Sequence, residues 1–140
     1  MVKIVNFFKF LEDKVEKKIP LRYKLIHNPS SITERDLKVE GNLNLRHTSI
    51  TSLPRGLKVG GSLVLSNTPI TSLPEGLEVG GYLYLSGTSI TSLPRGLKVG
   101  GSLDLSDTPI AYLPKRLEVG GGLYLNRTPI TSLPKGLRVG

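Results

Sequence analysis

The sequence predicts a mainly β repeat solenoid with an N-terminal α-helical cap, on three observations. First, a frame of twenty residues restarts at Leu43, Leu63, Leu83, Leu103 and Leu123. Second, apolar and polar residues alternate around each of these leucines, which is typical of a strand with one buried face. Third, every copy carries a Leu-Pro step in its second half, where proline disfavours an α-helix. Such units bury their apolar side chains mainly against their neighbours, so we expect stacked coils.

The N-terminal part, residues 1–36, is predicted to form a cap helix and a linker ahead of the solenoid at residues 37–140. Apolar residues recur at helical spacing over residues 3–19, and Pro20 ends the pattern. The apolar face consists of Ile4, Phe7, Phe8, Leu11, Val15 and Ile19. It suits a cap over the open end of a solenoid, although a basic amphipathic helix also suits a membrane surface. The stretch just before Leu43 matches the frame imperfectly, which indicates a degenerate first turn.

A pair of glycines interrupts the predicted strand of each unit. One such strand alternates from Leu57 to Leu65, with Gly60 and Gly61 at its centre. Glycine inside a strand marks a bend, a bulge or a close approach of two backbones. We therefore expect a bend there, with Gly61 facing inward. The return arms carry no helical pattern, so both arms of a coil are thin and the solenoid should curve only mildly.

One column of the repeat is threonine in every unit. Its members are Thr48, Thr68, Thr88, Thr108 and Thr128. A threonine hydroxyl both donates and accepts hydrogen bonds, so a buried column could satisfy backbone groups and form a ladder along the axis. A water-facing column would instead resemble a metal-binding or ice-binding array. The apolar residues on both sides favour the buried, structural interpretation.

The formal net charge of +8 raises the question of an anionic partner. One column alternates in sign and should form favourable pairs between stacked coils. It reads Lys58, Glu78, Lys98, Glu118, Arg138. A second column becomes basic towards the C-terminus and reads Arg55, Glu75, Arg95, Lys115, Lys135. The first column indicates a solvated, charge-matched face, and the second leaves nucleic acid open as a less favoured partner.

The frame Leu-x-Leu-x-x-Thr-x-Ile-x-x-Leu-Pro-x-x-Leu-x-Val resembles that of leucine-rich repeats. The unit length and the Leu-Pro steps, such as Leu53-Pro54 and Leu73-Pro74, are similar to the short class found in bacterial effectors and in phage-type proteins. The resemblance implies a right-handed coil with parallel strands on one face. Two positions depart from the family, because threonine replaces its usual asparagine and Gly60 and its equivalents replace a leucine. Some effectors of this class carry a ubiquitin-ligase domain, for which this chain has no cysteine.

The candidate binding site consists of the positions that vary while the frame stays fixed. The outward strand column reads Asn44, Val64, Tyr84, Asp104, Tyr124, and a neighbouring column contributes Tyr82. A third variable column, at the exit of the strand, reads His47, Asn67, Gly87, Asp107, Arg127. Tyrosine on an exposed strand combines a rigid apolar ring with a polar tip and is a frequent binding anchor. Unconstrained drift of exposed positions would produce the same variation. We favour binding of a protein partner through this face.

The sequence offers no constellation for catalysis, so we expect neither an enzyme nor a cofactor or metal site. His27 and His47 lie in different turns with no serine or cysteine nucleophile to pair with, and Asp104 and Asp107 flank a turn. The alternative functions are a structural spacer or capping segment of a larger repeat protein, and a binder of anionic polymers.

The last unit should expose its leucines along an open edge, because no polar cap follows Val139 and Gly140. We expect either continuation of the natural chain, end-to-end self-association or fraying of the last coil, and we favour continuation. No stretch has the ~18–20 apolar residues of a membrane span, and the N-terminus lacks signal-peptide features. The sequence therefore favours a cytoplasmic protein or one secreted without a cleaved signal.

Overall fold

The computed structural model describes residues 19–140, which form a parallel β solenoid of about five turns behind a short helical segment. The predicted cap helix over residues 3–19 lies outside the described residues, apart from Ile19. A helix, α1, runs over Leu21–His27, and two 3-10 helices follow at Pro29–Ser31 and Glu34–Leu37.

Helix α1 occupies a stretch that the sequence analysis assigns to a linker. Pro20 precedes it, with a backbone φ of −57°, and thus marks the start of a helix as well as the end of the apolar pattern upstream. Leu21 and Leu25 lie one helical turn apart and join the hydrophobic core. The helix thereby packs two leucines against the same core that the repeats build.

A buried ion pair ties α1 to the second 3-10 helix. Lys24 Nζ lies 3.0 Å from Asp36 Oδ2, and both residues are only 2% exposed. The same oxygen accepts hydrogen bonds from the backbone N–H and the hydroxyl of Thr33, at 2.8 Å and 3.1 Å. Burial raises the pKa of Asp36, but the Thr33 backbone bond and the Lys24 ammonium outweigh it, so the net pKa lies below the usual value.

Each coil contributes two short strands, one on either side of the glycine bend. The first sheet contains β1 Lys38–Val39, β3 Lys58–Val59, β5 Glu78–Val79, β7 Lys98–Val99, β9 Glu118–Val119 and β11 Arg138–Val139. The second sheet contains β2 Leu43–Asn44, β4 Leu63–Val64, β6 Leu83–Tyr84, β8 Leu103–Asp104 and β10 Leu123–Tyr124. All neighbours are parallel, and every residue pairs with the one twenty positions away, as in Lys38 with Lys58. We call residues 43–62, 63–82, 83–102, 103–122 and 123–140 repeats 1 to 5.

The chain bends at the glycine pair, as predicted, and the bend divides the predicted strand in two. The predicted nine-residue strand is two strands of two residues each, because the chain bends at Gly60 and Gly61 and their equivalents. Parallel strands therefore occupy two adjoining sheets instead of one face. A Cβ on Gly80 would lie 2.3 Å from the carbonyl oxygen of Gly60, and one on Gly81 would lie 2.9 Å from the carbonyl carbon of Gly61. The glycines are needed because successive coils touch backbone to backbone at this corner.

The core runs through the coils as stacked columns of leucine, isoleucine and valine. Leu65, Leu85 and Leu105 are fully buried, while Leu125 in repeat 5 is only partly so. Leu133 is 60% exposed, whereas its equivalents in the other four repeats are buried. Among the described residues, no helix occurs after Leu37, as the Leu-Pro steps predict.

The threonine column is buried at its centre, which confirms the structural interpretation. Each hydroxyl donates to the carbonyl oxygen of the leucine three residues before it, as Thr68 does to Leu65 at 2.7 Å. Thr48, Thr88, Thr108 and Thr128 make the same bond. The expected ladder along the axis is therefore replaced by a separate bond within each coil, which closes the turn after the second strand.

Candidate functional site

The outward column of the second sheet forms one continuous ladder. Strand pairing places Asn44 beside Val64, Val64 beside Tyr84, Tyr84 beside Asp104 and Asp104 beside Tyr124. Neighbouring side chains on parallel strands are ~5 Å apart, so a partner could touch several of them at once. The structure thus brings five of the six predicted site residues into one row, and Tyr82 borders it.

Two of the tyrosines, one on the ladder and one at its border, form a ring pair. The ring centroids of Tyr82 and Tyr84 are 5.8 Å apart, and the rings are tilted by 47°. Tyr82 is 48% exposed and Tyr124 is 52% exposed, while Tyr84 is half-buried. Tyrosine rings held in this way lose little conformational entropy when a partner binds, because they are already restrained.

Glycines next to the strands give the tyrosine rings room to lie down. A Cβ on Gly101 would be 2.9 Å from Cδ1 of Tyr82, and one on Gly122 would be 3.2 Å from the Tyr124 hydroxyl oxygen. Both rings therefore rest against the backbone. Gly122 is the only glycine in a column that otherwise contains asparagine, serine and tyrosine, and Tyr124 occupies the space it leaves.

A shallow groove of about 350 Å³ adjoins the N-terminal half of the ladder. It is lined by Asn44, Arg46, Val64, Ser66, Tyr84 and Ser86. Three of these residues were predicted from the sequence, whereas Arg46 and the two serines were not. The missed residues share one column of the repeat, two positions after the ladder. Because they share this column, they could have been predicted from the repeat frame together with the ladder.

Several polar side chains of this face hold the backbone. Oδ1 of Asn44 accepts a hydrogen bond from the Arg46 N–H, and Oδ1 of Asp104 accepts one from the Ser106 N–H, both at 3.0 Å. Ser62 Oγ accepts the Tyr82 N–H at 3.0 Å. These bonds fix the ends of the strands. Asp104 and Asn44 are therefore partly structural, and the tyrosines with Val64 are the members best placed to contact a partner.

The exit column varies for a conformational reason. His47, Asn67, Gly87, Asp107 and Arg127 all have positive φ, between 55° and 70°. Glycine, asparagine and aspartate tolerate this left-handed conformation best, so backbone geometry accounts for much of what the column contains. Arg127 pairs with Asp107 through Nε and through Nη2, the latter at 2.9 Å from Oδ2. These hydrogen bonds hold the pKa of Asp107 below its usual range.

The return turns contain residues that the sequence analysis passed over. Tyr112 is 78% exposed, at a position where the other four repeats have serine. Arg116 adopts a φ of 61° at a position where the other four repeats have glycine. The signal was present in the sequence, because both residues break the repeat frame.

The alternating charge column forms ion pairs between the coils, as predicted. Lys58 Nζ lies 3.0 Å from Glu78 Oε2, and Lys98 Nζ lies 3.7 Å from Glu78 Oε1. The hydrogen bond from Lys58 and the two positive charges lower the pKa of Glu78. Arg55 and Glu75 on the return turn form a further pair at 3.0 Å.

Comparisons with protein-family models, curated proteins and solved structures gave no match. Within residues 19–140, no group of three or more histidine or acidic side chains is placed to hold a metal ion. No helix in that same range is long and apolar enough to cross a membrane.

Proposed function

We propose that this solenoid is a protein-interaction module that binds its partner through the outward ladder of the second sheet. The ring pair of Tyr82 and Tyr84 is the observation that carries the proposal, because it places restrained aromatic surface on an otherwise constant scaffold. Tyrosine is enriched among residues that dominate binding energy. The adjoining groove adds a concave surface in which a side chain of the partner could lie.

We also propose that the chain belongs to the leucine-rich-repeat class of the short bacterial or phage type. The frame of leucines, the Leu-Pro steps and the parallel stacking in register support this assignment. The glycine pair at the two-sheet corner is one of the two positions at which this chain departs from the family pattern. Repeat proteins of this architecture offer an extended surface to other macromolecules, in agreement with a binding role.

The test compares binding by the wild type with binding by a variant in which Tyr82, Tyr84 and Tyr124 are all serine. The chain is used as bait in an extract of the native host, and retained proteins are identified and then titrated singly. We expect the triple variant to lose the specific partner, and Tyr84→Ala alone to weaken its binding by ~1–3 kcal/mol.

The matched control is Tyr112→Ser, which removes an exposed tyrosine from the return turn of repeat 4, outside the outward ladder. It should leave the affinity for that partner unchanged. Equal affinity of the wild type and the triple variant would rule out the ladder as the interface. A wild type that retains no specific partner would favour the alternative role as a structural spacer.

A further inference from the structure

The return turn of repeat 4 departs from the frame at three positions. Ala111 and Tyr112 replace the Thr-Ser pair that all four other repeats carry, and Arg116 replaces glycine. None of these residues belongs to the buried core, since Ala111 is half-buried and the other two are exposed. A repeat that keeps its core and changes its surface at one turn is expected to have a local reason for the change.

Arg116 carries a conformational cost that the fold does not require. Its φ is 61°, while Gly56, Gly76, Gly96 and Gly136 have φ between 75° and 79° at the equivalent positions. Non-glycine residues are disfavoured in this left-handed region of backbone conformation. The Arg116 N–H donates to the Lys135 carbonyl at 3.1 Å, and any residue except proline could make that bond. This backbone hydrogen bond therefore does not explain why an arginine stands here, and the reason must lie in its side chain.

Positive charge accumulates on the return turns around Arg116. Arg95, Lys115, Arg116 and Lys135 lie on the return turns of three successive repeats, and all four are exposed. None of them has an acidic partner within 4.0 Å among residues 19–140. On the same turns of repeats 1 and 2, by contrast, Arg55 is paired with Glu75. Successive coils are ~4.8 Å apart, so the four cations repel one another in the absence of an anion.

The side chain of Arg116 runs towards the next coil. A Cβ on Gly136 would lie 3.0 Å from Cγ of Arg116. The base of the Arg116 side chain thus lies against Gly136 of the next coil, and the cations of the return turns follow one another along the stack of coils. An extended anionic polymer lying along this line would meet a positive charge at each coil.

Tyr112 adds an exposed aromatic ring to the return turn that carries Lys115 and Arg116. It precedes Lys115 by three residues in the same turn and is the most exposed of the large hydrophobic side chains described. Cationic side chains that follow a backbone, together with aromatic rings on which bases stack, are the features by which proteins hold single-stranded nucleic acid. The net charge and its distribution in the sequence favour protein over nucleic acid as a partner. The positions of Tyr112 and Arg116 on the same return turn instead point to nucleic acid.

We propose that Tyr112, Arg95, Lys115, Arg116 and Lys135, here called the return-turn patch, bind single-stranded nucleic acid. The cations contact successive phosphates and the Tyr112 ring stacks on one base. The patch involves none of the outward-ladder residues, so the proposal is independent of the proposed protein-binding function. It requires no sequence preference, because every base offers a face for stacking.

The experiment measures binding of a fluorescent fifteen-nucleotide deoxythymidine strand to the full chain by fluorescence anisotropy, over a series of salt concentrations. The two key variants restore the residues of the other repeats, Tyr112→Ser and Arg116→Gly. Tyr112→Ser should weaken binding roughly 5- to 150-fold, the range for loss of one base stack. Arg116→Gly should weaken binding and reduce the slope of log K against log salt by about 0.7, the value for one phosphate contact. Its melting temperature should not fall, because the variant relieves a strained backbone.

The controls separate the patch from other charges and tyrosines. Arg55→Ser removes a cation that Glu75 already pairs, and Tyr82→Ser removes a tyrosine of the outward ladder. Both should leave oligonucleotide affinity unchanged. Equal binding by the wild type and both key variants would overturn the proposal. Poly-glutamate of equal charge is the competing ligand. If it binds as tightly as the oligonucleotide and Tyr112→Ser weakens its binding equally, the site recognises acidic protein and the proposal is overturned.

Discussion

At the residue scale, the first glycine of each bend is the position that tolerates substitution least. Gly60, Gly80, Gly100 and Gly120 recur at the corner where each coil meets the one before. At Gly80 the space for a Cβ is taken by a carbonyl oxygen, and backbone cannot move aside as a flexible side chain can. These residues therefore permit the close approach of the coils at this corner.

Gly80→Ala should lower the free energy of unfolding by about 1–3 kcal/mol, because the added methyl group overpacks the corner. Gly41→Ala is the matched control, since among residues 19–140 no atom beyond its own chain neighbours lies within 4 Å of the Cβ it would add. That variant should stay within about 0.5 kcal/mol of the wild type. Urea unfolding followed by circular dichroism measures both, and equal stability of the two variants would contradict the steric explanation.

The buried pair of Lys24 and Asp36 gives a second prediction at this scale. Asp36→Asn removes the carboxylate that lies 3.0 Å from the Lys24 ammonium, and it should cost about 3 kcal/mol. The pKa of Asp36 is lower in the folded chain than its ordinary value of 3.8, so this stabilisation is complete above that value. It is lost as the pH falls below 3.8 through the folded pKa.

Urea midpoints measured from pH 6 downwards should therefore converge for the wild type and Asp36→Asn in strong acid. Subtracting one curve from the other removes the carboxylates that both proteins share. A difference that stays constant down to pH 2 would contradict the assigned pKa shift.

At the element scale, much of the architecture was predictable and the helix was not. The alternation from Leu57 to Leu65 predicted the strands, and the Leu-Pro steps predicted arms without helix, because both patterns repeat five times. Helix α1 is only seven residues long, and its leucines at positions 21 and 25 give too short a period to stand out.

Part of the candidate site was also out of reach of the sequence. The ladder order followed from the repeat length, so the row of Tyr84, Asp104 and Tyr124 could be predicted. The exit column could not be interpreted correctly, because its left-handed backbone becomes apparent only when φ is known. Arg127 and Asp107 therefore resembled free surface variation, although they form an ion pair on a constrained turn.

The threonine turn supplies a prediction for the return arm as an element. Thr88→Val keeps the shape of the side chain and removes the hydroxyl that donates to the Leu85 carbonyl at 2.7 Å. The variant should lose about 1 kcal/mol of stability, the net value of a typical buried hydrogen bond. Thermal unfolding measures this loss of stability. The control is Thr71→Val, which changes an exposed threonine of the same fold. A Thr88 variant as stable as that control would show that the bond contributes nothing.

At the scale of the whole molecule, all repeats stack with the same register, but their exposed side chains differ. Every coil stacks on its neighbour at an offset of twenty residues, so the two sheets and the core are continuous from Lys38 to Val139. The outward ladder and the return-turn patch lie on different stretches of this continuous scaffold. Exposed substitutions in one surface should leave binding by the other unaffected, because the two surfaces share no residue.

The alternating charge column also gives the array a parity. Deletion of residues 63–82 would remove one coil and bring Lys58 beside Lys98, whereas deletion of residues 63–102 would bring Lys58 beside Glu118. Facing like charges destabilise parallel strands by ~0.2–1 kcal/mol, and salt screens that repulsion. Added salt should therefore raise the melting temperature of the one-coil deletion and have less effect on the two-coil deletion. We therefore expect this charge column to favour the loss of coils in even numbers.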